Sequence, residues 1–143
     1  MNSVDRYLRF GVGAGIFAVP LDQVIKVIRI GKLEPVRRGP KFLLGQTPDK
    51  IPLVSLGRIF DFPHRADSTL AILSYLNDQR IAYQIDRIDG VFRYIEVTPL
   101  PRRLKLPGFL RGVVVGAEEM IQIVDLFRLL SKKQRESLLR MGG

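Results

Sequence analysis

The chain has 143 residues, 46% of them hydrophobic and 26% charged, with a formal net charge of +9. That is the length of one domain, or of two small subdomains sharing a core, and its balance excludes a disordered chain. Cysteine is absent and histidine occurs once, as His64, which excludes a disulfide scaffold, a thiol nucleophile and thiolate metal sites.

Short apolar runs set off by Gly, Pro and Asp predict an all-β fold. Strands are expected over 7–12, 15–19, 27–30, 51–55, 69–76, 80–85, 91–97, 112–115 and 120–124. Asn77-Asp78 reads as a hairpin turn, and Gly11, Gly13 and Gly15 as another, with no following helix to make a phosphate cradle. Short helical pieces are expected over 21–26 and 56–60. A C-terminal helix capped by Asp125 is expected over about 125–140, with Leu126, Leu129, Leu130, Leu138 and Leu139 on its apolar side. The longest uncharged apolar run, 10–21, is too short to cross a bilayer. Its small residues and the upstream Asp5 argue against a secretory leader. A soluble, cytoplasmic chain without membrane insertion is the expectation.

The charge is uneven. Segment 26–41 holds six bases and one acid, 102–111 four bases and no acid, and 132–140 four bases and one acid. Such clusters suit nucleic acid, an anionic membrane or an acidic protein, or are simply a solvated basic face. Only Phe42 and Phe109 accompany them, and both sit in apolar runs that look like core, so the stacking aromatics of single-strand binders are missing.

The chain also repeats itself. Residues 17–36 align with 81–100 at an offset of 64, with identities at Ala18/Ala82, Asp22/Asp86, Val27/Val91, Arg29/Arg93 and Pro35/Pro99. Phe42-Leu43-Leu44-Gly45 answers Phe109-Leu110-Arg111-Gly112, and 51–60 answers 121–130. Two copies are too few for a solenoid. The expected architecture is a single domain, 1–143, of two packed β-barrels. Subdomain one would span about 5–64 and subdomain two about 68–124, with the C-terminal helix following.

In order and spacing these segments resemble the CheW-like domain family over some 120 residues. YLRFGVGAGIFAVPLDQVIKVIR is similar to the family's opening hairpin and turn. FLLG followed by IPLV resembles its F-I-x-G…V-P-V-V-D-L segment, and IDRIDGV its V-D-x-V-x-x-V. FLRGVVVGAEEMIQIVDLFRLL resembles its Y-L-x-G…L-I-x-I-L-D-I-x-x-L ending. The resemblance implies two SH3-like barrels, no catalysis and no cofactor. It implies an adaptor that bridges a chemoreceptor's cytoplasmic tip and the regulatory domain of the histidine kinase CheA. By position it places Val24, Lys26, Ile28, Gly45 and Lys50 on the receptor side.

The chain departs from the pattern at three places. Gly45 is followed by Gln46-Thr47-Pro48-Asp49-Lys50, without the arginine of the family's N-L-R-G turn. Lys26 stands where an acid is usual, and Ser55 where an Asp is. The chain is read as a divergent member.

Other candidates have plainer readings. Asp22 and Asp86 are expected to close strand-to-turn junctions on backbone N–H groups, not to act as an acid–base pair. His64 is expected in an exposed loop, without the further ligands a metal needs. Glu118-Glu119 reads as a solvated turn. Arg102, Arg103, Lys105 and Arg111 form a possible basic partner surface, stiffened by Pro99, Pro101 and Pro107. No catalytic, metal or cofactor residues are assigned. The expected function is a non-enzymatic adaptor; the alternative is a basic β-barrel that binds nucleic acid.

Overall fold

In the computed structural model, residues 6–36, 39–65, 67–94, 97–99, 109–116 and 119–141 are described. Strands β1 (Arg6–Val12) and β2 (Gly15–Pro20) form a hairpin whose turn has Gly13 at φ 57°, a left-handed conformation that glycine adopts without a Cβ clash. A 3-10 turn (Leu21–Gln23) leads to β3 (Lys26–Arg29), then β4 (Leu43–Gln46) and β5 (Pro52–Ser55). Ser55 caps the short helix α1 (Leu56–Phe60) by accepting from Arg58 N at 3.2 Å. The second series is β6 (Leu70–Leu76), β7 (Gln79–Ile85), β8 (Arg87–Arg93), β9 (Thr98–Pro99), β10 (Leu110–Val115) and β11 (Met120–Val124).

The strands form two sheets, ordered β8-β1-β2-β11-β10-β9 and β3-β6-β7-β5-β4. The repeat offsets equate β1 with β6, β2 with β7, β3 with β8, β4 with β10 and β5 with β11, and under that equivalence the two orders are the same. Both sheets even join their hairpin to the next strand by parallel pairs, Phe17↔Gln122 in one and Leu53↔Ala82 in the other. Each sheet is an SH3-like barrel.

Consecutive subdomains of about 5–64 and 68–124 do not describe this pairing. Each barrel takes its central hairpin from one half of the chain and its remaining strands from the other. The first barrel is β1-β2 with β8–β11; the second is β6-β7 with β3–β5.

This exchange explains why the hairpins are apolar on both faces. One face of each turns to a central core between the sheets, built from Phe10, Phe17, Val19, Ile72, Ile81 and Tyr83 with Leu126. The other face fills a barrel. Ala71, Ala82, Ile51 and Leu53 fill the second, and their repeat equivalents Tyr7, Ala18, Ile121 and Ile123 fill the first. Tyr83 is fully buried, and burial together with the nearby Asp125 carboxylate pushes its phenol well above the usual range.

The C-terminal segment is not one helix from residue 125. Asp125 accepts from Phe127 N at 3.0 Å and caps only a 3-10 turn, Leu126–Arg128. Ser131 and Gln134 then form a reciprocal capping box, at 3.1 and 2.8 Å, that starts α2 (Lys132–Met141) afresh. Strand β4 was not expected as a strand, and β8 begins four residues before the expected 91. Its Asp89-Gly90 looks like a turn but is a bulge against β1, with Gly90 at φ 121°.

Candidate functional site

Strands β3 and β4 are the two edges of the second barrel. The chain beyond β3 meets β4 at the bridge Glu34↔Gln46, where Gly45 allows close approach: a Cβ there would lie 2.8 Å from the Glu34 carbonyl oxygen. Strand β3, the residues after it and the β4–β5 turn line a groove of about 290 Å³ at the barrel mouth. Its apolar lining includes Ile28, Ile30, Ile51 and Leu73. Its cationic lining is Lys26, Arg29, Lys32 and Arg80, with Asp49 as the one acid. Among the described residues none of these four cations has an ion-pair partner; Arg29 only reaches Thr69 Oγ1, at 3.4 Å.

Of the five residues placed on the receptor side, only Lys26 and Ile28 come together here. Val24 packs, half-buried, against the central core. Gly45 is buried at the bridge. Lys50 lies in the neighbouring depression and is ion-paired with Glu34 at 2.6 Å. Of the basic surface, Arg102, Arg103 and Lys105 lie outside the described residues, and Arg111 is exposed, 3.9 Å from Asp125.

The first barrel has an equivalent mouth, closed at the equivalent point by Thr98↔Val113, and it is filled differently. Arg9 stands where the second barrel has Leu73. Its guanidinium donates to both carboxylate oxygens of Glu119, at 2.7 and 2.9 Å, and to Asp89 at 3.1 Å. It also lies 5.4 Å from the Phe92 ring centroid, and Phe92 stacks on Tyr94. The hydrogen bond to Glu119 above all raises the Arg9 pKa above the usual arginine range. Glu119 does lie in the turn, its carbonyl accepting from Gly116 N, but its side chain clamps Arg9; Glu118 lies outside the described residues.

A buried polar pair sits at the junction between the halves. Gln23 donates to Asp125 Oδ1 at 2.9 Å and accepts from Leu126 N at 2.7 Å, all buried. At the equivalent position Ser55 replaces Asp125, and its Oγ lies 3.5 Å from His64 Nε2. His64 is not an exposed loop residue: its ring packs over Gly57 with Nδ1 2.8 Å from the Phe62 carbonyl. A serine beside an imidazole suggests a nucleophile and its base. Here Ser55 is completely buried and its oxygen caps α1, so no substrate carbonyl can reach it.

Asp86 does close its junction, accepting from Gly13 N at 2.5 Å and Ser68 Oγ at 3.0 Å. Asp22 does not: it is exposed, and Pro20 at the start of its turn leaves the cap without a side-chain bond.

Several surface features have no clear sequence signal. Val27 and Val91, equivalent in the repeat, are exposed on the two edge strands β3 and β8, beside exposed Ile25 and Phe92. Val115 and Met120 face each other at the β10–β11 tip, 72% and 55% exposed. No helix among the described residues is long and apolar enough to cross a membrane.

Comparison with known proteins places these features in a family frame. The CheW-like domain model matches residues 6–134. No curated protein sequence matches. Among solved structures, the scaffolding protein TtCheW from Thermoanaerobacter tengcongensis superposes with a TM-score of 0.79 at 19% identity, covering 91% of this chain and 94% of that one.

Proposed function

The chain belongs to the CheW-like domain family, and from that premise we propose that it is a non-enzymatic scaffold of chemotaxis-type signalling. It holds a chemoreceptor's cytoplasmic tip and the regulatory domain of a CheA-type kinase together in the cytoplasm. The observation that carries this reading is the pair of equivalent edge strands, β3 and β8. Each presents uncovered apolar side chains, with Val27 and Val91 at matching positions. A molecule with two like docking edges on two barrels is suited to bridging, because each edge can recruit a partner without displacing the other.

Binding of the purified protein to a receptor-tip fragment and to the kinase regulatory domain, at low and high salt, tests this reading. Apolar docking predicts affinity that survives added salt. Absence of binding to both, from protein with an intact β-sheet spectrum, overturns it. Affinity that collapses with salt and transfers to oligonucleotide favours the nucleic-acid alternative.

A further inference from the structure

We propose that the mouth of the second barrel is a docking site for an acidic, extended segment of a protein partner, in which acidic and aliphatic residues take turns along one face. The inference rests on the scaffold reading in taking the occupant to be protein, and it adds the occupant's chemistry.

Three observations lead there. The groove is lined by the edge strand β3, by the residues that follow it and by the β4–β5 turn, and β3 pairs only with β6 along its length. An edge strand offers its free backbone N–H and C=O groups to an added strand. The groove has aliphatic residues, Ile28, Ile51 and Leu73, beside four cations, Lys26, Arg29, Lys32 and Arg80. Lys26, Ile28, Leu73 and Arg80 share one sheet face by register. An added strand presents every second side chain to that face, so acids and aliphatic residues taking turns along one face of the segment meet the cations and the apolar lining. Finally, the first barrel shows the same mouth already neutralised from within: Arg9 is held by Glu119 and Asp89. In the second barrel Asp49 is the one acid in the lining and no ion pair holds any of the four cations among the described residues, so the groove suits a partner that brings complementary charge.

A nucleic acid fits less well. It would supply the charge, but single-strand recognition relies on stacking against aromatic rings, and none of the groove's lining residues is aromatic.

The test uses the full chain and a fluorescent ten-residue Glu–Leu peptide of repeating Glu-Glu-Leu-Leu, which in an extended form sets Glu and Leu in turn along each face. Its controls are a Lys–Leu peptide and a ten-nucleotide thymidine strand, all followed by anisotropy. The Glu–Leu peptide should bind and the Lys–Leu peptide should not. The double charge reversal Lys26→Glu/Arg80→Glu should weaken the Glu–Leu complex at least about tenfold, with an unchanged circular dichroism spectrum. Should that variant fail to fold, Lys26→Gln with Lys32→Gln, both at exposed positions, should weaken binding less but in the same direction.

Failure of the Glu–Leu peptide to bind overturns the proposal. So does binding that ignores the reversals, or thymidine binding that is as tight and equally sensitive to them. The receptor-tip and kinase fragments are titrated alongside. If they bind while the Glu–Leu peptide does not, this inference fails and the scaffold reading stands. If the peptide binds at Lys26 and Arg80 while neither fragment binds, the reverse holds.

Discussion

The two barrels share a strand order and a closing bridge, yet their mouths treat charge in opposite ways. In the first, a cation sits inside the mouth and is neutralised by its own chain: Arg9 bonds Glu119 and Asp89 and lies against Phe92. In the second, the equivalent position is the buried aliphatic Leu73, and four cations stand around it with Asp49 as the one acid. A duplicated fold keeps its strand order because the cores demand it. At the mouths the strand order does not dictate which side chain stands there, so the two copies diverged, one toward self-satisfaction and the other toward an aliphatic floor ringed by cations.

Exchanging the two mouth residues breaks the comparison most severely. Leu73→Arg puts a charge at a 2% exposed site among Lys26 and Arg80, where the exposed Asp49 is the one carboxylate of the lining. We expect a loss of about 3–5 kcal/mol in urea unfolding, the usual cost of an uncompensated buried charge. The reverse exchange, Arg9→Leu, should cost only about 1 kcal/mol, because Glu119 and Asp89 keep access to water. Equal losses at the two sites would contradict the asymmetry.

The closing bridges should respond alike. Gly45 faces the Glu34 carbonyl, and Gly112 faces the Thr98 carbonyl at 2.7 Å from an added Cβ. Alanine at either should cost about 2 kcal/mol through forced separation of the strands. A loss at one position and none at the other would show that the bridges are not equivalent.

The smallest effect is a pH dependence seated in the shared core. The Tyr83 phenol is raised above its ordinary value of 10.0 by burial and by Asp125. The unfolded chain therefore releases this proton first. Stability is full below the unfolded value and falls as pH rises past it toward the folded value. Tyr83→Phe loses only a long hydrogen bond to the Leu126 carbonyl, 3.4 Å, so near pH 8 it should lie within about 1 kcal/mol of wild type. Above pH 10 its stability should decline less steeply. Parallel profiles would place the alkaline loss elsewhere.

Much of this was legible from residues alone. The alternating runs gave the hairpins, the repeat gave two like barrels, and the order of motifs led to the family that the match over 6–134 shows. The exchange of strands was not legible. Identities such as Val27/Val91 say which positions are equivalent, but not which strand each one pairs with, and a parallel contact such as Phe17↔Gln122 leaves no local pattern. Strand β4 was hidden because its bulge at Leu43–Gly45 breaks the period of two. At the candidate site, Lys26 and Ile28 were visible as departures and apolar positions. Arg80 was not, because it arrives from β7 in the other half of the sequence. His64 was misread because its cavity depends on a glycine seven residues earlier, Gly57.

The exchanged hairpins also bear on how the protein comes into being. Strand β11 lies between β2 and β10 in the first barrel, so the N-terminal hairpin waits for a strand about a hundred residues later before its sheet can be completed. At ribosomal speeds that is a delay on the order of 5–20 s. During this delay β2, apolar on both faces, has an unpaired edge of the kind that recruits strays. Contacts this distant in sequence also slow the closing step itself. A nascent chain of this design needs shelter until its last strand emerges, and a chain cut between the halves should give fragments that are each incomplete and able to complement one another.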